Sequence, residues 1–385
     1  MSEIKVNSIK GVSASTAAIS IDNSSGTCTA NITNNLSNRN LIINGAMQVA
    51  QRGTSDSTTN GNGTVDRFQL IRSGVDENPT QEQVGVSSGT TPYTLGFRNA
   101  FKVTNGNQTS VGTSDYITMR YKIEAQDIAG SGWNYLSSSS YITFSFWVKS
   151  SVAQNFYGYL KTSDGTAQMY SYETGSLTAN TWTKITKTIA GNSNLQFDND
   201  NAIGLEIYLS QFWGTDRTGS FSLDAWRSYN GAGRTPDFTS TWYTTNDATF
   251  EITGVQLEVG SVATDFEHRS YAQELSLCLR YYQIVRAASI TAASDTAARF
   301  NCPLLCKTRH PAPSVGKFGT ENINIGDMVS VGSNSSATPS SDGYSADDLM
   351  MSCQVTGFSG LTQYRQYCHE PVTSRMGLIA VDAEL

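Results

Sequence analysis

The sequence predicts an all-β protein: a large jelly-roll sandwich, a smaller C-terminal β domain, one short helix joining them, and an extended N-terminal arm. Three observations carry this prediction. Charged residues make up only 15% of the 385 residues and aromatic residues 10%, a balance that suits strands with weakly charged surfaces. Many segments alternate apolar and polar residues with the period of a half-buried strand. Turn dipeptides such as Asn60-Gly61 and Asp164-Gly165 separate these segments.

The composition excludes several other classes of protein. A disordered chain would carry more charge and fewer aromatic residues. A general nucleic-acid binder is basic, whereas here 26 Lys and Arg stand against 33 Asp and Glu, for a net charge of −7. The sequence contains no run of about 18 apolar residues, so we expect no membrane insertion. The N-terminus lacks the apolar core of a signal peptide. Six cysteines are too sparse for a disulfide scaffold, so we expect free thiols and synthesis in a reducing cytosol.

Residues 1–39 are predicted to form the N-terminal arm. The segment contains no aromatic residue and cannot build a core of its own. Its apolar residues fall in short alternating pieces that are typical of strands, so we expect an arm that becomes ordered on a partner. A flexible tail is the alternative. The residues predicted to make the attachment are Ile4, Val6, Ile9, Ile19 and Ile21.

Residues 40–267 are predicted to form the jelly roll, because strand-length alternation recurs along the whole segment. Glu206, Tyr208, Gln256 and Glu258 fall at the polar parity and are predicted to face outward. The apolar parity changes at Gly254, which predicts a β-bulge there. The sets predicted to share a face are Ile117, Met119, Tyr121 and Ile123; Ile142, Phe144, Phe146 and Val148; Ile203, Leu205, Ile207 and Leu209; Phe250 and Ile252; and Val255, Leu257 and Val259.

Residues 268–283 are predicted to hold the linking helix. Ser270 and Gln273 have the spacing of a capping box, and Phe266, just before it, is predicted to close the bottom of the sandwich. Apolar residues then recur at helical spacing and predict a single stripe, formed by Tyr271, Leu275, Cys278, Leu279 and Tyr282. Residues 284–385 are predicted to form the smaller C-terminal β domain, with strand-like pieces at 300–305, 315–318, 349–358 and 377–385.

Three stretches of the chain resemble a known family. The first runs from Asn40 to Gly53 (NLIINGAMQVAQRG) and is followed by Val65-Asp66-Arg67-Phe68. The second begins at Ile252 and continues through the predicted helix to Gln283, and the third is the closing Asp382-Ala383-Glu384-Leu385. Together they resemble a module that is common in tail-fibre-like proteins of tailed bacteriophages and prophages. The resemblance covers about residues 40–283, and the last stretch is similar to the end of the family's C-terminal domain.

This resemblance implies a virion structural protein, made in the host cytoplasm and located in the virion. It implies a jelly roll similar to carbohydrate-binding modules, a homotrimer, and an arm that attaches to other tail or capsid proteins. It supplies no catalytic residue and fixes no binding residue. The shared motifs look structural, and we expect Arg52, Asp66 and Arg67 to form ion pairs near the domain edge, although the sequence does not assign their partners.

The sequence contains little that points to catalysis, cofactors or metals. The sequence pairs no two carboxylates, and no nucleophile motif surrounds a candidate catalytic residue. We therefore predict that the protein is not an enzyme. His268 is predicted to make a structural hydrogen bond. Cys302, Cys306 and His310 do not have the spacing of a standard zinc site. The turn 198–201 leaves calcium open as an alternative to a plain polar turn. We therefore predict no cofactor and no metal site.

Candidate glycan contacts are aromatic residues in segments rich in Gly, Ser and Asn. An aromatic ring can cover the face of a sugar, while amides and hydroxyls bind its edge. Each residue could equally pack in the sandwich or at a trimer interface, where aromatic residues are also enriched. The candidates are Trp133, Tyr135, Trp213, Trp226 and Tyr229.

The leading hypothesis is a non-enzymatic phage fibre or spike subunit, which attaches by its N-terminal arm and binds a host-surface glycan or receptor through its β domains. Trimerisation would add avidity. A second hypothesis is a capsid- or tail-associated adaptor fibre without receptor binding. A third is a depolymerase that cleaves a surface polysaccharide, which the absence of a β-helix repeat and of a carboxylate motif disfavours.

Overall fold

The computed structural model describes residues 6, 8–9, 12, 19–21, 24, 28–30, 38–310, 312–319, 323–327, 331–334, 338–344, 349–369 and 378–385. In this part of the chain 25 strands accompany four short α-helices and one 3₁₀ turn. The predicted all-β fold class is therefore confirmed. None of these helices is long and apolar enough to cross a membrane.

A small three-stranded sheet lies within the first 30 residues. Its strands pair antiparallel in the order β1-β2-β3, and Ile9 lies opposite Ile19. Val6 and Ile9 are 41% and 53% exposed, so this sheet leaves apolar side chains uncovered. Ile4 lies outside the described residues. The strands are β1 (Ser8–Ile9), β2 (Ile19–Ile21) and β3 (Cys28–Ala30).

Twelve strands form the central sandwich. They are β4 (Ser55–Asp56), β5 (Phe68–Ser73), β6 (Thr80–Gly85), β7 (Asn99–Thr104), β8 (Tyr116–Glu124), β9 (Tyr141–Ser150), β10 (Asn155–Thr162), β11 (Gln168–Ser176), β12 (Thr183–Ala190), β13 (Ile203–Trp213), β14 (Trp226–Ser228) and β15 (Thr249–Val259). Short helices interrupt them at α1 (Thr91–Thr94), α2 (Ala125–Ala129) and α3 (Thr241–Thr244), with a 3₁₀ turn at Thr215–Arg217.

These strands make two six-stranded antiparallel sheets that face each other. Sheet A has the order β12-β9-β15-β7-β6-β4, and sheet B the order β14-β11-β10-β13-β8-β5. The chain crosses repeatedly between the sheets, as in a jelly roll, while β6–β7 and β10–β11 are consecutive strands that pair within one sheet. The predicted apolar sets of β8, β9, β13 and β15 meet in one core between the sheets, apart from half-buried Ile203 and Val259 at strand ends. At Gly254 the register of β15 shifts against β9 and the glycine has φ +61°, which confirms the predicted bulge.

The outer faces of both sheets are partly covered, which the parity argument missed. Glu206 and Tyr208 lie on the outer face of sheet B but are only 5% and 7% exposed, because the segment after β13 folds back over them and brings Tyr229 and Phe238 against the same cluster. Gln256 is 1% exposed on sheet A, since residues 260–268 cross that face. These side chains lie on the outer faces, as predicted, but they are covered by other segments; Glu258, beside Gln256, is 0% exposed.

Helix α4 (Tyr271–Leu279) follows the sandwich. The predicted capping box is present, with Ser270 and Gln273 each bonded to the other's backbone N–H. The predicted stripe does not pack as a unit, since Cys278 is buried while Tyr271 is 56% exposed. Glu274 is buried instead, because its carboxylate binds Arg269 at 3.0 Å. Phe266 also differs from the prediction, and packs on the outer face of sheet A rather than at the bottom of the sandwich.

The remaining strands form two sheets with their own core. A three-stranded sheet has the order β16-β25-β19, and a seven-stranded sheet the order β21-β20-β24-β17-β18-β23-β22. The four predicted strand-like pieces of this region overlap β18, β19, β23 and β25. The strands are β16 (Tyr282–Val285), β17 (Ser289–Ala292), β18 (Ala297–Pro303), β19 (Ser314–Lys317), β20 (Ile323–Gly326), β21 (Val331–Asn334), β22 (Thr338–Tyr344), β23 (Met350–Thr356), β24 (Gln366–His369) and β25 (Ile379–Asp382).

Candidate functional site

The three sequence motifs meet in space at one seam between the sandwich and the C-terminal strands. Arg67 is the centre of this seam: its Nη1 binds the carboxylate of Glu384, and its Nη2 donates to the backbone oxygen of Lys122 at 2.7 Å. The guanidinium also lies 3.4 Å from the ring centroid of Tyr281. The predicted ion pairs therefore exist, and the partner comes from the last four residues of the chain.

A second arginine completes the seam. Arg52 Nη2 lies 3.0 Å from Asp382 Oδ2, and its Nη1 lies 3.6 Å from Asp66 Oδ1. Burial raises the pKa of Asp66 to about 6, although the Arg52 charge opposes that shift. Glu124 is likewise fully buried and binds Arg280 at 2.8 Å. Because these charges are paired within the protein, we assign the motifs to the contact between the sandwich and the C-terminal strands rather than to a ligand.

The predicted contacts Trp133 and Tyr135 lie together at one end of the sandwich. Their ring centroids are 6.2 Å apart, and Tyr135 meets Phe197 edge-on at 5.0 Å. Trp133 is only 3% exposed, whereas Tyr135 is half-buried. A ligand could therefore reach Tyr135 but not the ring face of Trp133.

The other three predicted contacts lie at sheet B. Trp213 is 2% exposed, stacks on Tyr116 at 4.5 Å and donates its indole N–H to Ser210 Oγ at 2.7 Å. Trp226 is half-buried and donates to the backbone oxygen of Ala190 at 2.9 Å. Tyr229 packs beside the Trp213 cluster. The five candidates thus fall into separate places and do not form one site.

A cleft of about 230 Å³ lies elsewhere, on the outer face of sheet A. We call it the Trp147 cleft, because half-buried Trp147 of β9 lies in it at the parity opposite to the core residues. Sequence reasoning missed this residue, although a signal was available: a tryptophan at the solvent-facing parity of an alternating strand. The residues that line the cleft are Leu95, Phe97, Ser145, Trp147, Lys184, Gly254, Gln256, Thr264, Asp265, Phe266 and His268.

Two walls rise beside Trp147. One is the turn after α1, which carries Leu95 and Phe97, and the other is the segment after β15, which carries Phe266 and His268. The walls are joined, since Phe97 and Phe266 meet edge-on at 4.9 Å and His268 Nε2 lies 2.8 Å from the backbone oxygen of Leu95. The latter contact confirms the predicted structural hydrogen bond of His268.

The cleft also holds two exposed charged side chains. Lys184 lies directly opposite Trp147 on the neighbouring strand β12, and Asp265 lies on the wall after β15. Among the described residues neither side chain has an ion-pair or hydrogen-bond partner. The site therefore combines apolar rings with one free donor group and one free acceptor group, which suits a small polar ligand with an apolar face.

Two further cavities are less suited to a small ligand. One of about 630 Å³ lies beside α4 and is lined by residues 38–41, Ile43, Gln126, Asp127 and Leu277 among others. One of about 350 Å³ lies next to Trp213 and Phe238. Both are wider open to solvent than the Trp147 cleft; the first has no aromatic lining residue, and the second combines buried Trp213 with half-buried Phe238.

No group of three or more His, Cys, Asp or Glu side chains in the described part of the chain is placed to hold a metal ion. Asp200, in the turn 198–201 for which calcium was the alternative to a plain polar turn, accepts a hydrogen bond from the backbone N–H of Ala202 at 2.9 Å. Among the described side chains, five cysteines are not in disulfide bonds: Cys278, Cys302, Cys306, Cys353 and Cys368.

Comparison with known proteins gives only distant similarity. No protein-family model matches the chain, and no curated protein sequence matches it. A solved sugar-binding protein from Bacteroides thetaiotaomicron has 12% identity and a TM-score of 0.29, with 57% of this chain and 99% of that chain covered. A family 11 carbohydrate-binding module from Clostridium thermocellum, solved with a mixed-linked tetrasaccharide, has 12% identity and a TM-score of 0.25, over 55% and 98%.

A tandem of family 22 modules from a Paenibacillus barcinonensis xylanase has 9% identity and a TM-score of 0.26, over 91% of this chain and 97% of that chain. These values are too low to transfer any property to this chain. The fold assignment above depends on the strand order alone.

Proposed function

We propose that this protein is a non-enzymatic subunit of a bacteriophage fibre or spike, and that it binds a host-surface glycan through the Trp147 cleft. The observation that carries glycan binding is one cleft that combines a half-buried tryptophan with a lysine and a carboxylate that have no partner among the described residues. Sugars present an apolar face of C–H groups and a rim of hydroxyls, and this cleft offers a partner to each.

The virion role is supported by the sequence motifs and by the N-terminal strands. The motifs resemble those of tail-fibre-like proteins, and their ion pairs connect the sandwich to the C-terminal strands. Val6 and Ile9 are exposed, and Ile19 and Ile21 are half-buried, so the arm presents apolar side chains. Together with Ile4, these residues are proposed to bind another tail or capsid protein of the virion.

Assembly as a homotrimer is proposed from the surface around α4. Tyr271 is 56% exposed and Leu277 39% exposed on the same helix, and Leu277 lines the cavity of about 630 Å³. Exposed apolar side chains beside an open cavity are typical of surfaces that meet another protein chain. Three cleft copies on one particle would raise a weak single-site affinity through avidity.

A capsid- or tail-associated adaptor without receptor binding is the second candidate. It is favoured by apolar side chains at one end of the C-terminal sheets, where Leu305 is 64%, Leu349 55% and Met350 43% exposed. The backbone N–H of Leu304 binds the oxygen of Leu349 at 2.9 Å, so these residues are neighbours. Such a surface would suit a protein partner rather than a sugar.

A glycan array probed with the full-length protein tests the proposal. We expect binding to a subset of bacterial surface glycans. This binding should be lost in Trp147→Ala but kept in Tyr364→Ala, which changes an exposed aromatic residue outside the cleft. A folded protein that binds no glycan would favour the adaptor function.

Two further measurements test the other parts of the proposal. Immunogold labelling of the phage particle would test the virion role. Mass photometry that finds only monomers at micromolar concentration would contradict the trimer.

A further inference from the structure

We propose that the Trp147 cleft takes a single sugar ring at the end of a glycan, that the ring is neutral, and that Lys184 and Asp265 select it through adjacent hydroxyl groups. This inference rests on the proposed glycan binding and specifies the ligand class of the same site.

The first argument is the contrast among the lysines of this sheet face. Lys102 and Lys149 each bind a carboxylate across the sheet, Lys102 to Glu82 at 2.6 Å and Lys149 to Glu251 at 2.9 Å. Lys184 has no such partner among the described residues, although it lies on the same face. Cross-strand pairing thus satisfies the two lysines outside the cleft and leaves the one inside it free for a ligand.

The second argument is the balance of charge in the cleft. Lys184 can only donate hydrogen bonds and the Asp265 carboxylate can only accept them, whereas a hydroxyl group does both. A neutral ring can therefore satisfy both side chains at once. A sugar acid would bring its own carboxylate close to Asp265, and an amino sugar would bring its ammonium close to Lys184, so each would gain one partner and be repelled by the other.

The third argument is the size and closure of the site. At about 230 Å³ the cleft is smaller than the roughly 300–1,000 Å³ of sites for drug-sized ligands. Its two walls are tied together by the contact between His268 and Leu95, and the ring of Phe97 lies against Phe266. A single ring fits between these walls, whereas a chain that continues in both directions would meet one of them.

The test is a titration of the full-length protein with neutral methyl hexosides, the matching uronic acids and amino sugars, and linear and cyclic oligosaccharides. We expect neutral rings to bind best and cyclic oligosaccharides, which have no end, not to bind. Asp265→Asn and Lys184→Met should each weaken binding of the neutral ring about tenfold, as for the loss of one charge-assisted hydrogen bond. Asp265→Asn should also improve uronic acids relative to neutral rings.

The matched control is Lys187→Met on the same strand. The Lys187 ammonium binds Asp224 at 3.2 Å, outside the cleft, so the affinity of this variant for the neutral ring should equal that of the wild type. Tighter binding of acids or amines, or equal binding of cyclic and linear glycans, would overturn this inference and leave glycan binding intact. Sugar binding of unchanged affinity in all of Trp147→Ala, Asp265→Asn and Lys184→Met would overturn both this inference and the placement of the proposed glycan site in this cleft. No binding of any glycan by folded protein would overturn the proposed function itself.

Discussion

Asp66 is a carboxylate whose surroundings differ strongly from water. It is 1% exposed, and its Oδ1 and Oδ2 accept hydrogen bonds from the backbone N–H and the side-chain amide of Gln51 at 3.0 and 2.6 Å. Burial nevertheless dominates and raises its pKa to about 6. The fold therefore favours the protonated form of Asp66 over a pH range in which the same carboxyl in the unfolded chain, with a pKa of about 3.9, has already ionised.

This raised pKa predicts a pH-dependent stability. Between about pH 4 and pH 6 the folded state binds more protons at Asp66 than the unfolded state, so the contribution of Asp66 is greatest at low pH and is lost as the pH rises through about 6. Urea unfolding of the wild type and Asp66→Asn at pH 4.5 and pH 7 measures it. The wild type should lose more stability over this interval than the variant, and an identical loss would contradict the assignment.

Trp213 and Trp147 are predicted to respond differently to truncation. Trp213 is 2% exposed, so Trp213→Ala should leave a cavity and lower the free energy of unfolding by about 3–5 kcal/mol. Trp147 is half-buried on an open face, and its replacement should cost about 1–2 kcal/mol. Chemical denaturation measures both values. An equal loss of unfolding free energy in Trp213→Ala and Trp147→Ala would contradict the close packing of Trp213.

At the scale of elements, the bulge in β15 forms part of the Trp147 cleft. Gly254 has φ +61°, and a Cβ atom there would lie 2.6 Å from Cζ of Phe97. We therefore expect Gly254→Ala to destabilise the protein by about 1–3 kcal/mol and to weaken glycan binding by moving Phe97. Gly316→Ala is a matched control, because no atom of the described residues lies within 4 Å of the place that its Cβ would take. Equal unfolding free energies for the two variants would contradict this account.

The strands could be predicted from sequence because alternation is a local signal. The sets in β8, β9, β13 and β15 each form their pattern within about ten residues, and the bulge is marked by a glycine at the change of parity. What covers an outer face is not local. Tyr208 is buried by a distant segment that contains Tyr229 and Phe238, and the sequence of the strand itself does not predict this contact. The exposed side of α4 was missed for the same reason.

The candidate site shows the same limit. Lys184 and Asp265 are 81 positions apart in the sequence and share a cleft only because β12, β9 and the segment after β15 are neighbours. Of the aromatic residues predicted from Gly-rich and Ser-rich segments, Trp133 and Trp213 are buried, whereas Tyr135, Trp226 and Tyr229 are half-buried at places outside this cleft. Composition indicates which residue types can bind sugars, but only the strand order decides which of them remain accessible.

At the scale of the whole molecule, the seam joins the sandwich to the C-terminal strands. Arg67 and Glu384 are separated by 317 positions, and their side chains are 2% and 6% exposed. A buried pair of this kind contributes little by its mere presence, but removal of one partner leaves the other charge buried and unpaired. The seam therefore fixes the relative position of the two parts and penalises any rearrangement.

A double-mutant cycle tests this joint. Arg67→Met alone should destabilise the protein by about 3–5 kcal/mol, because Glu384 would lose its main partner. Glu384→Leu alone should also destabilise it, and the double variant should be more stable than the sum of the two effects predicts. Lys102→Met, which breaks a half-exposed pair with Glu82, should cost only about 0–1 kcal/mol. Additive effects at the seam would contradict the coupling.

The low charge of the whole chain suits a surface that contacts neutral sugars and neighbouring subunits. One cleft with a single ring contact would bind weakly, so function on a host surface would require several copies acting together.

The most direct measurement of the central claim is calorimetric titration of one array-positive glycan into the wild type and Trp147→Ala. We predict saturable binding to the wild type, and at least about tenfold weaker binding to the variant, equivalent to roughly 1.4 kcal/mol of lost ring contact. Unchanged circular dichroism would show that the variant is folded. Equal affinity of the two proteins would contradict the claim that this cleft is the glycan site.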